Sequence, residues 1–109
     1  MNKIKTYRQG DVMLVGPISK PKNLNELPVA DRAILAHGEV TGHHHSFSKG
    51  SAILLAPEKD AVECTHVEIA DALALLEHQE HSTIEVPSGV YQVVRQREYS
   101  PEAIRRVAD

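Results

Sequence analysis

The chain has 109 residues, of which 41% are hydrophobic, and this composition fits one compact domain spanning residues 1–109. The formal net charge of -3 argues against general binding of nucleic acid over the whole surface. No run of about eighteen apolar residues occurs, so the sequence predicts no membrane span. Nothing at the start of the chain resembles a signal peptide, and we expect a cytoplasmic protein.

Aromatic side chains make up only 4% of the residues, so the core must be built mainly from Val, Ile, Leu and Ala. A small core of this kind is marginally stable, and we expect the protein to gain stability by self-association into a homo-oligomer. The single cysteine, Cys64, cannot form an intramolecular disulfide, which fits a reducing compartment. We interpret Cys64 as a small apolar residue on a strand.

Short apolar runs separated by Gly, Pro and Asp predict an all-β fold, because few segments have the 3.6-residue period of an amphipathic helix. Seven short strands in about a hundred residues suit a small single-domain β-barrel or a two-sheet sandwich. The predicted strands are Asp11 to Ile18, Ala33 to Val40, His45 to Ser48, Ala52 to Ala56, Val62 to Ile69, Ala72 to Glu77, and Val90 to Tyr99.

The connections are marked by turn-forming residues. The polar, proline-bounded stretch 19–28 predicts a surface loop, while Gly50-Ser51 and residues 57–60 predict hairpin connections. Residues 87–89, Pro-Ser-Gly, predict a turn before the last strand. Near the C-terminus, Ser100-Pro101 combines a capping side chain with a proline at a first helical position, so a short helix is expected over 101–108.

Residues 70–81 are made of good helix formers and fit two interpretations. A helix would place His78 and His81 on one face at i and i+3. A strand running into a turn would instead place Leu73 and Leu75 on one face. We favour the strand because the segments on both sides are extended.

Five of the seven histidines fall in two clusters, in 38–45 and 77–81. Imidazole is the side chain best suited to binding a transition metal or moving a proton near neutral pH. On a strand His43 and His45 point to one side, a chelating H-x-H arrangement, while His44 points to the other. If the fold brings the clusters together, three ligands would leave an open, catalytic position and four would close the site.

The predicted metal site is thus a set of imidazoles supported by nearby carboxylates. Its ion would be a divalent transition metal, Zn, Ni or Fe. The alternative is that these histidines are exposed or hydrogen-bonded structural residues. The predicted ligands are His43, His45, His78 and His81, with Glu39 and Glu80 as further polar groups.

The spacing of Gly38, His43-x-His45 and the later segment 87–91 resembles the two short motifs of cupin barrels. That resemblance implies a small β-barrel that binds a metal through H-x-H, a glutamate and a later histidine. Here Ser48 and Lys49 stand where the glutamate is expected, and the later histidine is absent. His78 or His81 would therefore have to complete the ligand set.

A second resemblance spans nearly the whole chain. It is similar to a family of small uncharacterised proteins found in bacteria and their phages. The resemblance implies a single-domain unit, located in the host cytoplasm if it is phage-encoded, and brings no assigned function. The residues that carry it are Arg8-Gln9-Gly10-Asp11-Val12, Gly38-Glu39-Val40-Thr41-Gly42-His43, Glu80-His81, and Gln96-Arg97-Glu98-Tyr99-x-Pro101.

The last predicted strand carries a second group of polar residues. Alternation places Arg95, Arg97 and Tyr99 on one face, where two guanidiniums and a phenol could hold a phosphate or carboxylate. The competing interpretation is the solvated face of a sheet, with Arg97 paired to an acid. No nucleophile elbow, phosphate loop or dinucleotide motif occurs in the sequence.

The leading hypothesis is a cupin-like cytoplasmic β-barrel with a histidine-lined metal site, whose catalysis on a small-molecule ligand is left open. The first alternative is a non-enzymatic, phage-encoded interaction module that forms oligomers. The second is a nucleic-acid or nucleotide binder that uses the C-terminal strand, against which the acidic net charge counts.

Overall fold

The computed structural model describes residues 4–37 and 42–95. Regular structure in this part of the chain is entirely β, and the strands form two antiparallel sheets. The strands are β1 (Lys5–Gln9), β2 (Val12–Ile18), β3 (Asn25–Glu26), β4 (Arg32–His37), β5 (His44–Ser48), β6 (Ala52–Ala56), β7 (His66–Leu76) and β8 (Ile84–Arg95).

The larger sheet has six strands in the order β1-β2-β8-β7-β6-β3, and the smaller sheet pairs β4 with β5. Phe47 and Leu35 of the small sheet are buried in one core cluster with Leu14 and Tyr91 of the large sheet. Among the described strands the large sheet does not close on itself, because β1 and β3 lie at its edges. The all-β prediction is confirmed, and the sandwich fits the fold better than the barrel does.

Polar contacts join the two sheets on two sides of the core. Ser46 of β5 and Glu77, just after β7, exchange backbone hydrogen bonds of 3.0 and 2.9 Å. On the other side of the core, the Arg95 guanidinium donates to the carbonyl oxygens of Leu35, at 2.7 Å, and Cys64, at 2.8 Å. The small sheet is therefore fixed to the large one at both places by paired polar groups.

The two predicted strands Val62 to Ile69 and Ala72 to Glu77 are joined in one long strand, β7, which begins only at His66 and ends at Leu76, so residues 62–65 are not part of a strand. The strand interpretation of residues 70–76 is confirmed. The predicted turn at 87–89 is wrong, because these residues lie inside β8, opposite a register shift between Ile69 and Leu73. An interrupted ladder tolerates a proline that has no N–H to donate, which explains why a turn-like sequence fits there.

Two further local predictions need correction. The stretch 19–28 contains β3, which pairs with β6, and the buried Leu27. Gly50-Ser51 leads from the small sheet to the large one, so it is not a hairpin within one sheet. Strand β1 was not predicted. The helix expected over 101–108 and the last predicted strand beyond Arg95 fall outside the described residues.

No helix in the described ranges is long and apolar enough to cross a membrane.

Candidate functional site

The two histidine clusters meet at the bridge between β5 and the end of β7. Because Ser46 and Glu77 are antiparallel partners, their chain neighbours His45 and His78 face each other on one side of the bridge. The ring centroids of His45 and His78 are 4.4 Å apart. His81 completes a triangle with them, at 5.9 Å from His45 and 4.7 Å from His78.

His43 joins the same group, with its ring centroid 5.6 Å from that of His78. The four predicted imidazoles therefore lie together, and we call them the histidine cluster. Its inner member, His45, is 4% exposed, whereas the His43 side chain is 22% exposed and His81 is exposed. The cluster thus runs from the core to the surface.

A buried glutamine fixes the inner imidazole. Nε2 of Gln9 donates to the carbonyl oxygens of Leu76, at 2.8 Å, and Ser82, at 2.9 Å. The amide oxygen of Gln9, Oε1, therefore faces Nδ1 of His45, 2.9 Å away, and accepts a hydrogen bond from it. In neutral His45 the proton is consequently on Nδ1 and the lone pair on Nε2, the tautomer that metal-binding histidines commonly have.

His78 has the opposite tautomer. Its Nδ1 accepts from the backbone N–H groups of Glu80, at 2.9 Å, and His81, at 3.0 Å, so a neutral His78 ring has its proton on Nε2. Burial, followed by the nearby His81 and His43, lowers the pKa of His78, while Glu80 acts in the opposite direction. The backbone contacts and the lowered pKa both favour the neutral ring.

Gly10, at the turn after β1, packs against the rings of His81 and His45. Its φ is +55°, and a Cβ at this position would lie 2.6 Å from Nε2 of His81 and 3.2 Å from Cε1 of His45. A side chain there would therefore displace the His81 ring. Glycine is required at this turn for its conformation and for the space it leaves.

Proximity of the rings does not amount to a preformed metal centre. Around a tetrahedral ion with Zn–N bonds of about 2.0 Å, ring centroids would lie roughly 5 Å apart, which is similar to the separations in the cluster. Yet in 4–37 and 42–95 no group of three or more His, Cys, Asp or Glu side chains has a geometry that could hold a metal ion. The capped Nδ1 of His78 is one physical reason, because a metal on Nε2 would require that cap to break.

The predicted carboxylates differ in position. Oε1 of Glu80 is 3.8 Å from Nδ1 of His43, at the exposed rim of the cluster. Glu39 lies outside the described residues, as do Arg97 and Tyr99. Arg95 is only 12% exposed, and its hydrogen bonds to Leu35 and Cys64 give it a structural role away from the histidines.

Alternation is correct for His44, which lies away from the cluster. Its backbone N–H donates to Oε1 of Gln79 at 2.7 Å, and its Nδ1 is 3.0 Å from Oγ of Ser46. Burial, with a smaller contribution from Arg32, lowers the pKa of His44. A polar cleft of about 310 Å³ opens here, lined by Arg32, His44, Ser46, Glu77, His78 and Gln79.

Sequence reasoning missed several residues of this region. The roles of Gln9 and Gly10 were not predicted because β1 was not predicted, although Gly10-Asp11 is a two-residue hairpin signal between alternating segments. The roles of Arg32 and Gln79 were not predicted because only the bridge between the sheets brings these two residues together. No spacing in the sequence reveals that bridge.

In a comparison with protein families, residues 8–96 match the model of a family described as a domain of unknown function, DUF8820. The chain belongs to this family. The match begins within β1 and includes all of β2 to β8, and it contains the four residues of the histidine cluster. Searches of curated proteins and of solved structures returned no match.

Proposed function

We propose that this DUF8820 domain binds a divalent transition-metal ion, Zn, Ni or Fe, at the histidine cluster. The observation that carries the proposal is the hydrogen bond from Nδ1 of His45 to the buried Gln9. It orients a buried imidazole so that Nε2, with its lone pair, is the metal-binding atom. The H-x-H spacing of His43 and His45, which resembles that of cupins, supports the same proposal.

In this proposal His45 is the fixed ligand, and His43 and His81 supply the second and third nitrogens. Both lie toward the surface, where rotation of the rings can bring their nitrogens to an ion. His78 becomes a fourth ligand only when its Nδ1 gives up the backbone contacts with Glu80 and His81. A three-histidine site keeps an open position for a small-molecule ligand or for catalysis, whereas four histidines close it.

The test is metal binding by untagged protein. We expect Zn²⁺ or Ni²⁺ to bind in calorimetry and to raise stability, by about 2.7 kcal/mol when free metal is a hundredfold above Kd. His45→Ala and His81→Ala should abolish both effects. His66→Ala is the matched control, because His66 contacts Thr65 and lies outside the cluster. Unchanged stability in the presence of either ion would contradict the proposal.

A second candidate function is an interaction module that forms a homo-oligomer. It is favoured by Leu73 and Leu75 on β7, which are 47% and 46% exposed and project from the same side of the strand. Light scattering of the wild type and of a Leu73→Ser, Leu75→Ser double variant tests it. A metal role alone predicts the same mass for both proteins, while an interface through β7 predicts a lower mass for the variant.

A further inference from the structure

The polar cleft beside the histidine cluster contains hydrogen-bond donors that have no acceptor within residues 4–37 and 42–95. Arg32 donates through Nε to Oγ of Ser46 at 2.7 Å, and through Nη2 to Oε1 of Glu77 at 2.6 Å. For Nη1 of the same guanidinium, no acceptor occurs in the described part of the chain. Two N–H groups of Arg32 are therefore available in a cleft of about 310 Å³.

Two neighbouring side chains add donors to the same cleft. Oε1 of Gln79 accepts from the His44 backbone, so its Nε2 amide group is a donor: one N–H is used on Nε2 of His44, 3.3 Å away, and the second N–H remains for a ligand. The cap on Nδ1 of His78 puts the proton of that ring on Nε2. The cleft thus combines donors from Arg32, Gln79 and His78 and is complementary to a ligand rich in acceptors.

The guanidinium is held in place by the main chain of β5. Besides the bond from Nε to Oγ, Nη2 of Arg32 lies 3.3 Å from the carbonyl oxygen of Ser46, a fully buried residue. The Glu77 carboxylate is held less firmly, because its side chain is 47% exposed and contacts Arg32 through a single oxygen. An external oxyanion can therefore displace it without disturbing the core.

We propose that this cleft binds a small molecule through an oxyanion, a carboxylate or a phosphate, with Arg32 as its anchor and Glu77 as a built-in competitor. The ligand oxyanion takes the place of the Glu77 carboxylate on the guanidinium, and Gln79 and His78 donate to its other oxygens. Planar, bidentate recognition of this kind is what distinguishes Arg from Lys. The site does not depend on a metal ion in the histidine cluster.

The test uses full-length protein and buffer passed over a chelating resin, titrated with succinate and, separately, with inorganic phosphate. We expect saturable NMR shifts at the Arg32 and Gln79 side chains. Glu77→Gln should bind about tenfold more tightly than the wild type, because the competing charge is gone while the shape is kept. Glu68→Gln is the matched control, since it removes a carboxylate from the exposed Lys20 ion pair elsewhere.

Arg32→Lys should lose binding, because an ammonium cannot replace the free edge of the guanidinium. If that variant does not fold, Gln79→Ala provides the same comparison and should weaken binding several-fold. The anion that binds more tightly identifies the carboxylate or the phosphate as the natural group. Shifts that do not saturate with either anion, or equal affinities of the wild type and Glu77→Gln, would overturn the proposal. His45→Ala should keep oxyanion binding even if metal binding is lost.

Discussion

Oε1 of Gln9 lies 2.9 Å from Nδ1 of His45, and the same glutamine amide donates to the carbonyl oxygens of Leu76, the last residue of β7, and of Ser82. One buried side chain therefore connects β1, β5 and the segment that carries His78 and His81. Gln9 is 2% exposed, so water cannot replace these bonds. The position of the inner imidazole is thereby coupled to the stability of the fold.

Gln9→Ala is expected to lower the free energy of unfolding by about 3 kcal/mol, because it leaves a buried imidazole N–H and two carbonyl oxygens without their partner. Urea denaturation measures the change. Gln92→Ala on β8 is the matched control, because Gln92 is an exposed glutamine on a strand, and it should change stability by no more than about 0.5 kcal/mol. Equal effects of the two variants would show that the Gln9 amide contributes nothing specific.

Gly10→Ala separates backbone strain from crowding of the cluster. At Gly10 an added methyl group meets the His81 ring at 2.6 Å, whereas at Gly50, with φ of +93°, nothing lies within 4 Å. Both Gly→Ala variants should lose about 1 kcal/mol because φ is positive. Only Gly10→Ala should also shift the His81 and His45 ring resonances and weaken Zn²⁺ binding. If Gly50→Ala weakens metal binding equally, the effect does not arise from contact with the rings.

The sequence predicts the class of fold and which of the side chains at 43–45 share a face, because alternation is a local property. His43 and His45 fall on one side and His44 on the other, as the H-x-H pattern predicts. The link between the clusters was not predictable, because the bridge from Ser46 to Glu77 joins residues far apart in the chain. The turn expected at Pro87-Ser88-Gly89 was wrong for a related reason: only the pairing of β7 with β8 shows that the ladder is interrupted there.

Arg95→Ala should loosen the contact between the two sheets on the side of the core where Arg95 lies, while the Ser46–Glu77 bridge remains. The guanidinium donates to Leu35 of β4 and to Cys64, and its loss leaves both carbonyls unpaired at a cost of about 3 kcal/mol. Cys64 reports the opening, because burial raises the pKa of its thiol despite the nearby Arg95, and the native thiol should react slowly. Arg95→Ala should react faster with a thiol reagent at equal pH. Equal rates in the two proteins would argue against this anchoring role.

Tyr91 gives the protein a defined loss of stability in alkali. Burial, followed by the nearby Tyr7, raises the pKa of Tyr91 from 10.0 to about 12. Above its ordinary pKa the unfolded chain loses the phenolic proton while the folded protein keeps it, so stability falls as pH rises through this window. The slope attributable to Tyr91 should approach about 1.4 kcal/mol for each pH unit, and it should end once the folded protein also ionises.

Tyr91→Phe is the variant that isolates this effect. At neutral pH it should lose about 1 kcal/mol, because the phenol donates to the carbonyl oxygen of Pro87 at 2.8 Å. Above the ordinary tyrosine pKa the stability curves of the two proteins should converge, since the variant has no phenol to ionise in the unfolded state. Urea denaturation at several alkaline pH values measures both curves. Parallel curves across that range would mean that the Tyr91 phenol ionises as readily in the folded protein as in the unfolded chain.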